Sequence, residues 1–138
     1  MKEQVISAAE LAVKYAEDKG AEQAEAFVSF TQSFSIDVEN NAIKSAAKKY
    51  DAGCGIRCIV GGRTGFAYVT TLEVDDIKAA VDRSLSLARV AVPDPDFKSL
   101  PVADGEYPSV RGLYDKAMAE VSSEGATEIV TRLIDATS

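Results

Sequence analysis

The sequence predicts an α+β fold: a curved, mainly antiparallel sheet of about four strands in a meander, with two helices on one face. A proline-rich connector and a terminal helix follow. Three observations carry this reading. Residues 24–39 alternate apolar and polar with period two, the segments 3–19 and 75–91 repeat their apolar residues at helical spacing, and all four prolines fall between positions 93 and 108.

In the first helix, 3–19, Val5, Ile6, Ala9, Val13 and Ala16 make one stripe, and Glu10 precedes Lys14 by one turn in the favourable orientation. Gly20 after Lys19 is a stop signal, because glycine adopts the left-handed position that ends a helix. The strand that follows has Ala24, Ala26, Val28, Phe30, Phe34, Ile36 and Val38 on even positions. Glu25, Ser29, Thr31, Ser33, Ser35, Asp37 and Glu39 are odd. Such alternation marks a strand with one buried and one wet face. Gln32 breaks it on the apolar side and Phe27 on the polar side. A strand this long is expected to bend near Gln32.

Asn40–Asn41 suits a tight hairpin, since asparagine tolerates positive φ. The return strand is read as "AIKSAAKKY", the third as "AGCGIRCIV", and the fourth, after Gly61–Gly62, as "RTGFAYVTT". The period then becomes helical. Asp75 and Asp76 lie where a helix start favours acids, and Ile77, Ala80, Val81, Ser84, Leu85 and Ala88 form the inner face. The segment "PDPDFKSLPVADGEYP" reads as an extended connector. A short helix around Tyr114–Val121 and a terminal helix capped at Ser122 or Ser123 complete the chain. The expected organisation is an α-β-β-β-β-α domain at 1–92, a connector at 93–108 and a helical tail at 109–138.

Composition narrows the function. The chain has 138 residues, an apolar fraction of 46% and a net charge of −7. No apolar run approaches the roughly 20 residues of a membrane span, and Met1-Lys2-Glu3 lacks the features of a secretory signal. The acidic balance argues against direct nucleic-acid binding, which rewards clustered Lys and Arg. Cys54 and Cys58, four apart on one strand, would have Cα atoms about 13 Å from each other, beyond the reach of a disulfide. They read as small buried hydrophobes in a reducing compartment, and hence in the cytoplasm.

The chain contains no histidine. That removes Ser-His-Asp and Cys-His nucleophiles and every His-based zinc site, and two cysteines cannot close a zinc site alone. The expectation is therefore no catalytic, cofactor-binding or metal-ligating residue in this stretch. Several weaker candidates have plainer explanations. "GCGIRCIVGGRTG" fails the dinucleotide fingerprint, because position 58 is cysteine and not glycine, and it lacks the Gly-Lys-Ser/Thr of a phosphate loop. A hairpin turn plus a strand crowded by a neighbouring backbone explains it. Asp37 and Glu39 share a strand face as an acid/base pair would, yet on the solvent side. Arg57 and Arg63 could hold a carboxylate, or serve as ion-pair partners. Lys44, Lys48 and Lys49 guard a strand edge against aggregation.

"AAELAVKYA" (Ala8–Ala16) and "ATEIVTRLI" (Ala126–Ile134) share a pattern of Ala, any residue, Glu, then an apolar pair and a basic residue. A repeated unit of this kind, with an amphipathic helix beyond a proline-rich connector, predicts that the chain is a piece of a longer protein. The tail would begin its next domain.

The hairpin "SFSIDVENNAIKSA", the run "DAGCGIRCIVGGRTGFAY" and the exit "PDPDF" resemble the N-terminal domain of the TldD/PmbA family, also called modulator of DNA gyrase, over roughly residues 5–135. The resemblance implies a cytoplasmic two-subunit metallopeptidase system acting on unfolded or modified peptides. In that family the catalytic, TldD-type subunit holds zinc on an H-E-x-x-x-H helix beyond this region. The PmbA type lacks the motif and partners the catalytic subunit, and "PDPDF" is more like the PmbA type. The implied role is a non-catalytic scaffold that forms a homo- or heterodimer with a TldD/PmbA-like subunit and helps wall a peptide cavity. By itself the piece is expected to be inactive, without nucleic-acid or membrane contact. The alternative is a self-contained cytoplasmic interaction module that pairs through an exposed sheet edge.

Overall fold

The computed structural model describes residues 1–102 and 105–138. Its elements are α1 (Lys2–Asp18), β1 (Gln23–Glu39), β2 (Ala42–Val60), β3 (Arg63–Val69), α2 (Val74–Val90), α3 (Lys116–Ala119) and α4 (Ser123–Thr137). The α+β class and the antiparallel sheet agree with the sequence reading; the strand count differs. The sheet has three strands in the order β1-β2-β3. The expected strands "AIKSAAKKY" and "AGCGIRCIV" are one continuous strand, β2. Asp51, the one turn-favouring residue at the expected break, sits within the strand, and no residue of Ala42–Val60 has positive φ. Positions 103 and 104 of the expected connector lie outside the described residues.

Both hairpins form where expected. Asn40 and Asn41 have φ of 53° and 57°, Gly61 and Gly62 of 56° and 68°. Two consecutive left-handed residues give the turn whose twist matches the flanking strands. β2 and β3 pair from Cys54↔Val69 to Val60↔Arg63.

Contacts divide the described chain into two units, Met1–Gln32 with Tyr50–Val102, and Ser33–Lys49 with the chain after Val102. On β1 the division falls directly after Gln32, the residue that breaks the apolar alternation.

In the first unit, α1 and α2 cover one face of the sheet. All six residues expected on the inner face of α2 are buried. On α1 the buried residues are Ala8, Ala12 and Ala16; of the expected stripe only Ala16 is among them, while Val5, Ala9 and Val13 are half-buried, so the inner face is rotated from the expected one. Alanines allow α1 to approach closely, Leu11 and Tyr15 pack at the side, and Ile6 stays 46% exposed. Tyr15 ties α1 to α2: its hydroxyl donates to Asp82 at 3.4 Å, and the Lys19 and Lys78 ammonium groups lie 5.3 and 5.6 Å from the ring centroid.

The closest approach in this unit is at Gly65 on β3. A Cβ there would lie 1.9 Å from the Ser84 carbonyl oxygen and 2.4 Å from the Ala88 nitrogen, both backbone atoms of α2. Glycine is thus required by space. The Ser84 hydroxyl, fully buried, donates to the Gly65 carbonyl at 2.9 Å, which satisfies the one polar side chain in this contact.

Beyond α2 the chain turns onto the opposite face. The Asp94 N–H donates to the Gly62 carbonyl at 2.9 Å and the Leu100 N–H to Gln23 Oε1 at 3.0 Å. Ile59 and Leu100 are 2% and 7% exposed, and both lie outside the main helix–sheet cluster. Strand alternation turns Ile59 away from the helices, since its neighbour Cys58 faces them. The segment 93–102 therefore straps that end of the outer face.

In the second unit, the Ser122 hydroxyl oxygen accepts from the Gly125 N–H at 3.0 Å and caps α4, while Asp115 caps α3. The hairpin tip is held by Ser45 donating to Asp37 and by a Lys44–Glu39 ion pair, each at 2.6 Å.

Candidate functional site

Alternation gives the sheet of the first unit two chemically different faces. Cys54, Ile56, Cys58, Gly65 and Ala67 point under the helices and are buried. The opposite face carries Glu25 and Phe27 from β1, Gly53, Gly55 and Arg57 from β2, and Phe66 and Tyr68 from β3. Pairing sets Gly55 across from Tyr68 and Arg57 across from Phe66. Phe27 is 77% exposed, Phe66 55% and Tyr68 67%. A Cβ on Gly55 would meet the Phe66 ring at 3.3 Å, so that ring lies across the glycine. The result is an aromatic shelf with a glycine floor. Between the strap and the aromatics, Glu25 Oε1 accepts from Arg57 Nε at 2.6 Å and also from Nη2.

The weaker candidates of the sequence are placed as follows. Arg57 is engaged by Glu25, and Arg63 falls on the other face by alternation, so the two arginines do not converge. Asp37 and Glu39 are each held by a partner across the hairpin, Ser45 and Lys44. Lys48 and Lys49 are exposed on the distal part of β2. The glycine-rich run is a hairpin turn followed by a strand crowded by the α2 backbone, as its plainer explanation holds. A separate cleft of about 760 Å³ opens beside the start of α1, lined by Ala8, Leu11, Phe30, Ala52, Leu72 and Val74 among others.

Both cysteines are free and buried. Burial pushes each thiol above its ordinary pKa, and at Cys58 a contact with Ser84 partly offsets this. Nucleophilicity and metal binding need the thiolate, so both groups are inert in the folded state. The sign for stability follows. A raised folded pKa contributes in full below a thiol's ordinary value of about 8.5, and the contribution is lost as pH rises through the raised value. In native protein at pH 8, iodoacetamide is expected to label neither cysteine on the timescale that labels both in urea. Rapid native labelling of either one, followed by mass spectrometry, would contradict the burial.

The zinc implied by the family resemblance does not fit the donors of this chain. There is no imidazole, the two thiols sit on one strand and are held protonated, and no three metal-binding side chains converge among the described residues. No helix among the described residues is long and apolar enough to cross a membrane.

Phe66 and Tyr68 were not singled out by sequence reasoning. Their signal was present, as aromatics at alternate positions of a strand whose intervening residues are Gly65 and Ala67. Small residues on the covered side and large ones on the open side invert the usual pattern. At Gly65 they do so because the α2 backbone leaves no room for a Cβ.

The first unit is thus a helix-backed antiparallel sheet with one open aromatic face. Residues 24–88 match the family described as PmbA/TldA metallopeptidase domain 1. Over these residues the chain is similar to the first domain of the PmbA/TldD family. TldE from Thermococcus kodakarensis has a similar structure, with 25% identity, a TM-score of 0.76, and coverage of 89% of this chain and 27% of its own. A protein from Bacteroides thetaiotaomicron, described as a candidate modulator of DNA gyrase, shares the fold at 18% identity and TM-score 0.72, covering 89% of this chain and 28% of its own. A protein of the same description from Thermotoga maritima shares it at 18% and 0.64, with 89% and 27% covered. The chain thus spans little more than a quarter of these solved relatives. No curated protein matches its sequence.

Proposed function

We propose that this domain is the non-catalytic N-terminal scaffold of a TldD/PmbA-like protein. In this reading it assembles with a TldD/PmbA-like subunit in a cytoplasmic metallopeptidase system acting on unfolded or modified peptides, and helps wall the cavity that receives them. The single observation that carries the reading is the donor set: a domain of a family described as metallopeptidase has no imidazole and only buried, protonated thiols. In this reading the bond-breaking groups come from elsewhere in the assembly. The "PDPDF" exit favours the PmbA type.

The test is co-expression with a TldD-type subunit that carries H-E-x-x-x-H. Residues 1–138 with added zinc are expected to cleave no peptide, and the chain is expected to co-purify with that subunit. Robust zinc-dependent cleavage by 1–138 alone would overturn the reading. A second reading, an interaction module that pairs strands, is favoured by one feature: β1 is an edge strand of 17 residues, whose outer backbone groups can accept an added strand.

A further inference from the structure

We propose that the aromatic shelf is a self-association surface, on which a second copy of this chain packs its own shelf about a two-fold axis. The proposal rests on the assembly role above and names the surface that performs it.

Area is the first argument. With exposures of 77%, 55% and 67%, and about 200 Å² for a whole aromatic side chain, Phe27, Phe66 and Tyr68 present roughly 400 Å². An apolar patch of that size on a monomer is commonly functional. It is about half of the ~800 Å² per partner that a stable interface buries, and aromatics of this kind form the energetic centre of such interfaces.

Charge is the second. The chain carries −7 overall, so two copies repel over most of their surface. The shelf is locally balanced: Glu25 and Arg57 stand side by side with their side chains 42% and 44% exposed. A two-fold axis near this pair sets each Arg57 against the Glu25 of the second copy. A surface that holds one acid and its matching base is complementary to itself, as an isologous contact requires.

Shape is the third. The shelf is a sheet face, Gly53 and Gly55 carry no side chain, and the strap covers only the Ile59 end. Two such faces can stack at the roughly 10 Å spacing of packed sheets, ring against ring, with no side chain of Gly53 or Gly55 to hold them apart.

The test is sedimentation equilibrium of residues 1–138 up to ~1 mM, a concentration that detects even a millimolar Kd. A reversible dimer is expected, and Phe27→Ser and Tyr68→Ser should each weaken it at least tenfold. Thermal melts at low concentration should remain unchanged, because these rings lie on the open face. Phe66→Ser removes a ring that covers Gly55, so Phe27→Ser is the cleaner variant. Glu25→Arg alone should weaken the dimer, and adding Arg57→Glu should restore it. A chain that stays monomeric throughout overturns the proposal, while the co-purification test of the assembly role stands apart. A dimer unaffected by Phe27→Ser and Tyr68→Ser overturns the shelf and leaves the assembly role intact. Binding of an unfolded peptide to the shelf in a chain that does not dimerise also overturns it.

Discussion

Gly65→Ala is expected to cost about 3 kcal/mol or more, at the upper end of what overpacking a close contact does. The added carbon would sit 1.9 Å from the Ser84 carbonyl oxygen and 2.4 Å from the Ala88 nitrogen. Both are backbone atoms, so no rotamer change relieves the clash, and α2 as a whole must move off β3. That movement also stretches the buried bond from the Ser84 hydroxyl to the Gly65 carbonyl. A loss of this size lowers the melting temperature by roughly 10 °C in a domain of this length, readable by circular dichroism. Gly53→Ala is the control: its Cβ would meet only the Val69 carbonyl oxygen, at 3.4 Å, and should shift the melt little. Equal melts for the two variants would show that the close approach of α2 is wrong.

Ile77→Ala should remove a further ~2–5 kcal/mol, the range for deleting a fully enclosed branched side chain and leaving a cavity. Ile77 is 0% exposed and lies in the first turns of α2, in the cluster with Ala8, Ala12, Cys54 and Ile56. On the same helix, Leu87 and Val90 are 50% and 80% exposed. Alanine at either of those positions should change stability by less than about 0.5 kcal/mol. Urea unfolding of the three variants separates the faces of α2, and a large loss at Val90 with none at Ile77 would reverse its orientation.

These two sites also show what a sequence can disclose. The inner face of α2 was legible in full, because its apolar residues recur at helical spacing and nothing competes with that signal. The hairpins were legible because Asn40–Asn41 and Gly61–Gly62 are residues that tolerate positive φ. The orientation of α1 was not. Its large residues Val5, Ile6 and Val13 pointed to one face, whereas close packing selected the alanines at 8, 12 and 16. Hydrophobicity ranks residues by size, and a helix that must come near its neighbour inverts the ranking. The break expected between Tyr50 and Ala52 had a single turn-favouring residue, Asp51, and the 19-residue β2 runs through it. The shelf was half visible. Phe27 stood out as an aromatic on the wet side of a strand. Phe66 and Tyr68 could be assigned to a face only once Gly65 was seen to lie under α2.

The strap over the outer face has a consequence for handling the protein. With Asp94 fastened to Gly62 and Leu100 to Gln23, the stretch between them is closed at both ends although it contains no helix or strand. A nick within it would free both new termini, and the lid on Ile59 would then be held against the entropy of two loose tails. Chain trimmed soon after α2 would lose that lid altogether and present a fresh oily spot beside the aromatics, inviting aggregation. Material for solution work is best ended beyond Val102.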